Sequence, residues 1–463
     1  MVRQSRLHIQ MNCIDASEPG SGPAKTARET FGSSFGVLTT MIGVAVGLGA
    51  VWRFPYMVGK FGGAAFVLVY LLVVGLVGIP ALMAEWTLGR STRRGTLGAF
   101  QRGGFPGGKI VGGFLFCVVF CAMGYYSNVL GWVGLHAIGQ LATGLGIGLD
   151  AASILPPETG FDARALVLQL VMTGLVVSTC GLVIVRGLRR GIERVSRFIV
   201  PGLFAILLIL IVRSMTLEGS WAGVEWYIGG FRFEELTPSV IAAAMGMAFF
   251  SMSLGGTFMV IYGSYLDRAA PIPKNAIITG VGASAAGLLA GFAIFPAVFA
   301  FGLEPASGPG LIFSTLPQTF AAMPAGWFFG LLFFSGLFGA AFLSDVAALE
   351  VLVGGLVDNT KIPRKKAALL ACSIVFVLAV PPMINFAIFV PWDLLFGSGM
   401  QVLGSLLAVA TVGWCFTTAK ALDELSQGRV RRVSPLLIWW IRIVVPISIL
   451  AVGVNWLWDA VIN

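Results

Sequence analysis

The apolar run over residues 36–57 cannot be an ordinary membrane helix, because it holds three glycines in seven positions, Gly43, Gly47 and Gly49, with Arg53 and Pro55 close behind. A span in hydrocarbon must pair its own N–H and C=O groups, since lipid offers no partners. Glycine weakens such a helix through its conformational freedom. An unwound stretch leaves backbone groups bare at membrane depth. These are tolerated only when buried in protein or lining a wet cavity, where they can hold ions and solutes.

Composition makes the membrane setting plain. The chain is 57% hydrophobic and 11% charged, against roughly 25% charged residues in soluble domains. Its surroundings are therefore a lipid bilayer. The net charge of +9 fits lysines and arginines gathered in cytoplasmic loops, so no nucleic-acid partner is expected. The six cysteines fall mostly in apolar spans and read as packing residues, and Cys117 and Cys121 share a face without further ligands for a metal. With His8 and His136 as the only histidines, no metal cluster or nucleophile–base pair supports an enzyme. No cofactor is implied. No cleavable signal is evident, and residues 1–30 read as a polar cytoplasmic tail.

A membrane helix needs about 20 apolar residues, and on that ruler about eleven spans are expected: 36–57, 62–89, 108–143, 164–185, 191–213, 239–265, 275–302, 325–356, 366–382, 386–418 and 434–457. Basic residues cluster before span 1, between spans 2 and 3, at the 4–5 and 6–7 turns, after span 8 and between spans 10 and 11. With alternating spans all of these fall on one side. The positive-inside rule then puts the N-terminus in the cytoplasm and the C-terminus outside, in a cell (inner) membrane.

Span 6 is interrupted too, by Phe249-Phe-Ser-Met-Ser-Leu-Gly-Gly-Thr257. Two broken spans five apart are the pattern of an inverted-repeat transporter. The expected fold is all-α with helices 1 and 6 broken in a 5+5 repeat, plus one extra C-terminal helix. The boundaries are a first repeat over 31–213, an extracellular loop over 214–238, a second repeat over 239–418, and a loop with the eleventh helix over 419–463. Half-helix N-termini favour a carboxylate and freed carbonyls favour cations, so the paired breaks suit a zwitterion.

These motifs resemble the neurotransmitter:sodium symporters, specifically the bacterial amino-acid branch with the leucine-transporter fold. The likeness runs from about Arg28 to Trp458. It is carried by GxAVGLGxxWRFP (43–55), GGxAF (62–66), EWTLGR (85–90), GYYSNVLGW (124–132), RGLRRGIER (186–194), FFSMSLG (249–255), GSYL (263–266), IFPAVFAFGLEP (294–305) and LVDNTKIPRKKA (356–367). The resemblance implies an amino-acid substrate between spans 1, 3, 6 and 8. Its carboxylate would meet the amides of Leu48 and Gly49 and the Tyr126 hydroxyl. Its ammonium would meet carbonyls of Ala45, Phe250 and Ser251, with Ser253 assisting. Gly47 stands where monoamine members carry an aspartate, which points to a substrate bringing its own carboxylate. Arg53 and Asp393 match an outer gate under which Phe250 is an aromatic lid. Arg28 and Asp358 match an inner gate, with Phe31 and Tyr265 beside it, and Glu85 matches an acidic residue that holds unwound backbone.

The ion positions depart from the family pattern. At the first sodium site Ala50 replaces a side-chain amide and Ala283 stands nearest a missing Asn or Asp. The carbonyl of Ala45 and the hydroxyl of Ser251 remain. At the second, Gly43, Val46 and Ala340 can offer carbonyls and Ser344 a hydroxyl, but Leu343 occupies the other hydroxyl position. A hard cation wants several oxygens, so the first site is weakened and the second is the candidate Na+ site. Asp345 follows directly: a sodium ligand in shifted register, a proton carrier, and a structural polar residue are three open readings. The chloride position, near Ala286, is undecided. Gly256, Ala122 and Ala348 replace larger residues and open volume for a hydrophobic or aromatic amino acid.

The expected function is ion-coupled (Na+) symport by alternating access. A Na+-independent or proton-coupled transporter of the same fold is the first alternative, and a non-translocating amino-acid sensor the second.

Overall fold

The computed structural model describes residues 28–303, 311–429 and 432–462. Lys25, Arg431, His8, Cys13, most of the tail and the end of the 294–305 motif lie outside these residues. Helical segments stand at each of the expected stretches. Among the described residues eight are long and apolar enough to cross a membrane, and a ninth is the pair Ser34–Ala45 and Gly49–Phe61, bent by 52° at its break. The other two are shorter. Arg364–Ala379 has 16 residues, and span 6 divides into Pro238–Ser251 and Phe258–Ser264.

Local chemistry sets the ends. Ser33 accepts from the Gly36 amide at 2.9 Å to start span 1, and Asp162 caps span 4 by accepting from Arg164 at 2.8 Å, each satisfying an orphan N–H of a first turn. The 214–238 connection is partly helical, with Ser220–Val224 and the turn Glu225–Gly229.

The spans differ in depth. Span 8, Gly326–Asn359, is 83% buried over its apolar window, whereas span 5, Leu188–Met215, is 28% buried and faces outward. Span 8 packs along span 3, Gly108–Gly144, to form the central wall. Small residues allow the closest approach. A Cβ on Gly263 would lie 2.7 Å from the Trp86 backbone, which locks the second half of span 6 onto span 2.

Candidate functional site

The breaks in spans 1 and 6 face each other across a cavity of about 540 Å³. Span 1 unwinds after Ala45, and its freed Leu48 amide donates to the Tyr126 hydroxyl at 3.1 Å. Gly47 must be glycine here. A Cβ would come 2.4 Å from Ser344 Oγ and 2.6 Å from the Tyr126 oxygen. The break in span 6 turns through left-handed residues, Ser253 (φ 51°), Gly255 (φ 89°) and Thr257 (φ 59°). Glu85, fully buried, accepts from the Gly255 amide at 2.9 Å, and the Thr96 and Thr257 hydroxyls meet at 2.7 Å.

Of the residues expected from sequence, Ala45, Gly47, Gly49, Ala122, Tyr126, Phe250, Ser253, Ser344 and Ala348 line this cavity. Leu48 lies just above it, on a second cavity. Ser251 is buried behind the wall, with its hydroxyl 2.9 Å from that of Tyr70. Gly256 corrects the expectation of added volume. The ring of Phe258 stands 2.1 Å from where its Cβ would be, and Phe258 itself lines the pocket. Sequence reasoning missed Phe258, Met123, Tyr125 and Gln401 on this wall. The GYYSN motif could have given Tyr125, but nothing in the sequence brings Gln401 of span 10 to the breaks.

The positions expected from sequence to hold ions are lined by carbon and by groups bonded to one another. Ala50 and Ala283 are fully buried. A Leu343 methyl sits 2.6 Å from where a Gly43 Cβ would project, so an apolar group covers that stretch of span 1. The hydroxyls of Ser253 and Ser344 both donate to the Val44 carbonyl, at 2.7 and 3.0 Å. A hard cation at the second position would draw on the expected carbonyls of Gly43, Val46 and Ala340 and on the lone pairs of Ser344. These residues fit a sodium ion only as a carbonyl-dominated shell.

Asp345 turns away from the breaks. Its carboxylate is fully buried and accepts from Ser127 Oγ, at 3.0 and 2.9 Å to its two oxygens, and from the Cys180 thiol at 3.6 Å. Spans 3, 4 and 8 are thus tied by one group. Cys180, read from sequence as packing, is a hydrogen-bond donor.

The two ends of the path differ. At one, Tyr126 and Phe250 separate the main cavity from a smaller one of about 340 Å³, which Arg53 and Asp393 both line. The Arg53 guanidinium lies 4.4 Å from the centroid of Phe250, with Tyr56 and Asp393 close enough to act on its charge. At the other, Arg28 pairs with Asp358 at 2.6 Å and stacks over Tyr265 at 4.7 Å. Phe31 stacks on Tyr262 at 6.4 Å, and the Tyr265 hydroxyl donates to Glu350, which pairs with Arg364.

Comparison with known proteins agrees with this geometry. The model of the sodium:neurotransmitter symporter family matches residues 28–146 and 158–460. The chain is similar to the sodium-dependent transporter YhdH of Bacillus subtilis, 31% identical over 91% of this chain and 96% of that one. It is also similar to a sodium-dependent transporter of Haemophilus influenzae, 30% identical over 92% and 98%. Among solved structures, MhsT in complex with L-phenylalanine superposes with a TM-score of 0.80 at 32% identity, covering 93% of this chain and all of that one. With two facing helix breaks, a cavity between them and this match over nearly its whole length, the chain belongs to the sodium:neurotransmitter symporter family.

Proposed function

We propose that this protein is a secondary transporter that couples Na+ to the movement of a hydrophobic or aromatic amino acid by alternating access. One observation carries the reading: the Leu48 amide and Tyr126 hydroxyl meet at the pocket, beside a Gly47 with no room for a side chain. That arrangement suits a substrate with its own carboxylate. The ammonium goes to the carbonyl ends of the half-helices at Ala45, Phe250 and Ser251. The side chain goes toward Ala122, Met123, Phe258 and Ala348, which form an apolar wall. That MhsT was solved with L-phenylalanine supports an aromatic substrate.

In this reading Phe250 and the Arg53–Asp393 pair close the outer side. Arg28 and Asp358 close the inner side, with the N-terminus in the cytoplasm and the C-terminus outside. The bundle of spans 1, 2, 6 and 7 then rocks against the rest around the site. Na+ sits among Gly43, Val46, Ala340 and Ser344, and coupling requires that it favour one state over the other. At Ala45 and Ser251 the first ion position is vestigial.

A second reading, amino-acid transport without sodium, is favoured by one feature: Leu343 covers Gly43 where an ion ligand would stand. Uptake of labelled phenylalanine, tryptophan and leucine into proteoliposomes, with sodium, potassium or pH gradients, separates the two. Sodium-driven accumulation is expected. Uptake indifferent to sodium and abolished by collapsing the pH gradient establishes the second reading, and binding only of glycine or alanine refutes the assigned substrate class.

A further inference from the structure

A second space lies beside the pocket. It is a crevice of about 1260 Å³, its open mouth included, behind Phe250 between both outer half-helices of the breaks and spans 10 and 11. Arg53 and Phe250 belong to this crevice and to the gate cavity alike, so one aromatic ring separates the substrate, the gate and the crevice. Its walls are otherwise almost wholly apolar. Two glycines, Gly246 and Gly453, face open room, with no atom within 4 Å of where a Cβ would stand. The mouth is on the perimeter of the bundle, since Leu403 and Leu450 are 45% and 52% exposed.

Away from Arg53, Ser239 and Gln401 the walls offer no polar side chain, so water in the rest of the crevice lacks the two to four partners it needs. Left empty, it forfeits the contacts of every atom lining it. The exposed Leu403 and Leu450 at the mouth belong to the apolar spans 10 and 11, beside which the apolar group at hand is a lipid tail. We propose that the crevice takes one acyl chain of a bilayer lipid, from the leaflet on the Arg53–Asp393 side, and that the chain braces Phe250 from behind. The crevice lies between the broken helices and their neighbours. A chain in it therefore favours the lid position seen here and raises substrate affinity. The site is separate from the substrate pocket, and its existence does not depend on which ion is coupled.

The test uses the full chain in nanodiscs containing phosphatidylglycerol with a diazirine at the end of one acyl chain. Photolysis and peptide mapping should place adducts on residues 242–254 and 402–406. Gly246→Phe with Gly453→Phe fills the crevice and should remove these adducts, while Leu208→Phe, on the outward face of span 5, should leave them. If the double variant does not fold, Gly453→Phe alone carries the test. Delipidated protein should bind the amino acid about fivefold more weakly, and the filled variant should not show that loss. Adducts unchanged by filling, adducts spread evenly around spans 3–5, or cross-links between two copies through the crevice would each overturn the proposal.

Discussion

The two helix breaks do the same job by different means. The break in span 1 is three residues, 46–48, and is held by groups from elsewhere: Tyr126 receives the Leu48 amide, and Ser253 and Ser344 both bond the Val44 carbonyl. The break in span 6 is six residues, 252–257, and is held largely by its own backbone. Two of its three left-handed residues are not glycine, and Thr257 is β-branched, a conformation costing on the order of 1–3 kcal/mol. Glu85 is the buried acceptor that fixes it. The first break is thus tuned by its surroundings and the second is built in. Damage to the first should weaken ligand binding, and damage to the second should cost both binding and fold.

The largest effect is expected at Glu85. Glu85→Leu leaves the Gly255 amide buried without a partner, about 1–3 kcal/mol. Both the melting temperature and amino-acid affinity should fall, and an unchanged melting temperature would erase the distinction between the breaks. Next, Tyr126→Phe removes the hydroxyl that meets Leu48 and, in the proposed function, the substrate carboxylate, about 1–2 kcal/mol. Affinity should drop roughly tenfold with little change in melting. Leu343→Thr should return an oxygen ligand to the second ion position, lowering the sodium concentration for half-maximal binding several-fold. No change there would move the ion elsewhere. The smallest effect belongs to Ser253→Ala, which leaves Val44 bonded to Ser344. A loss near 1 kcal/mol or less is expected by equilibrium binding.

Much of this was legible in the sequence, for reasons that differ by region. Span positions follow from hydrophobic length, and the two breaks from glycines and hydroxyls inside apolar runs. Gly47, Tyr126, Arg53 and Asp358 could be placed through motifs tied to backbone geometry. Phe258 could not, because its ring folds back over Gly256, and pocket volume depends on side-chain direction as much as residue size. Gln401 reaches the wall through packing of span 10, a tertiary fact without local signal. Asp345 was visible as an anomaly. Its partners Ser127 and Cys180 sit on spans 3 and 4, and only their packing against span 8 identifies them.

The Arg28–Asp358 latch has a kinetic consequence. Its side chains are only 14% and 17% exposed, so the pair is largely buried and is screened by salt less than a surface pair. When Arg28 leaves, Asp358 is not orphaned, because the Gly95 amide still donates to it at 3.2 Å. Glu350 keeps Arg364 throughout. Opening this end therefore leaves the carboxylate one donor, and the stacked rings of Phe31 and Tyr262 have to move with it. Salt should change the rate of release only slightly, whereas bulk added at Phe31 should change it much more.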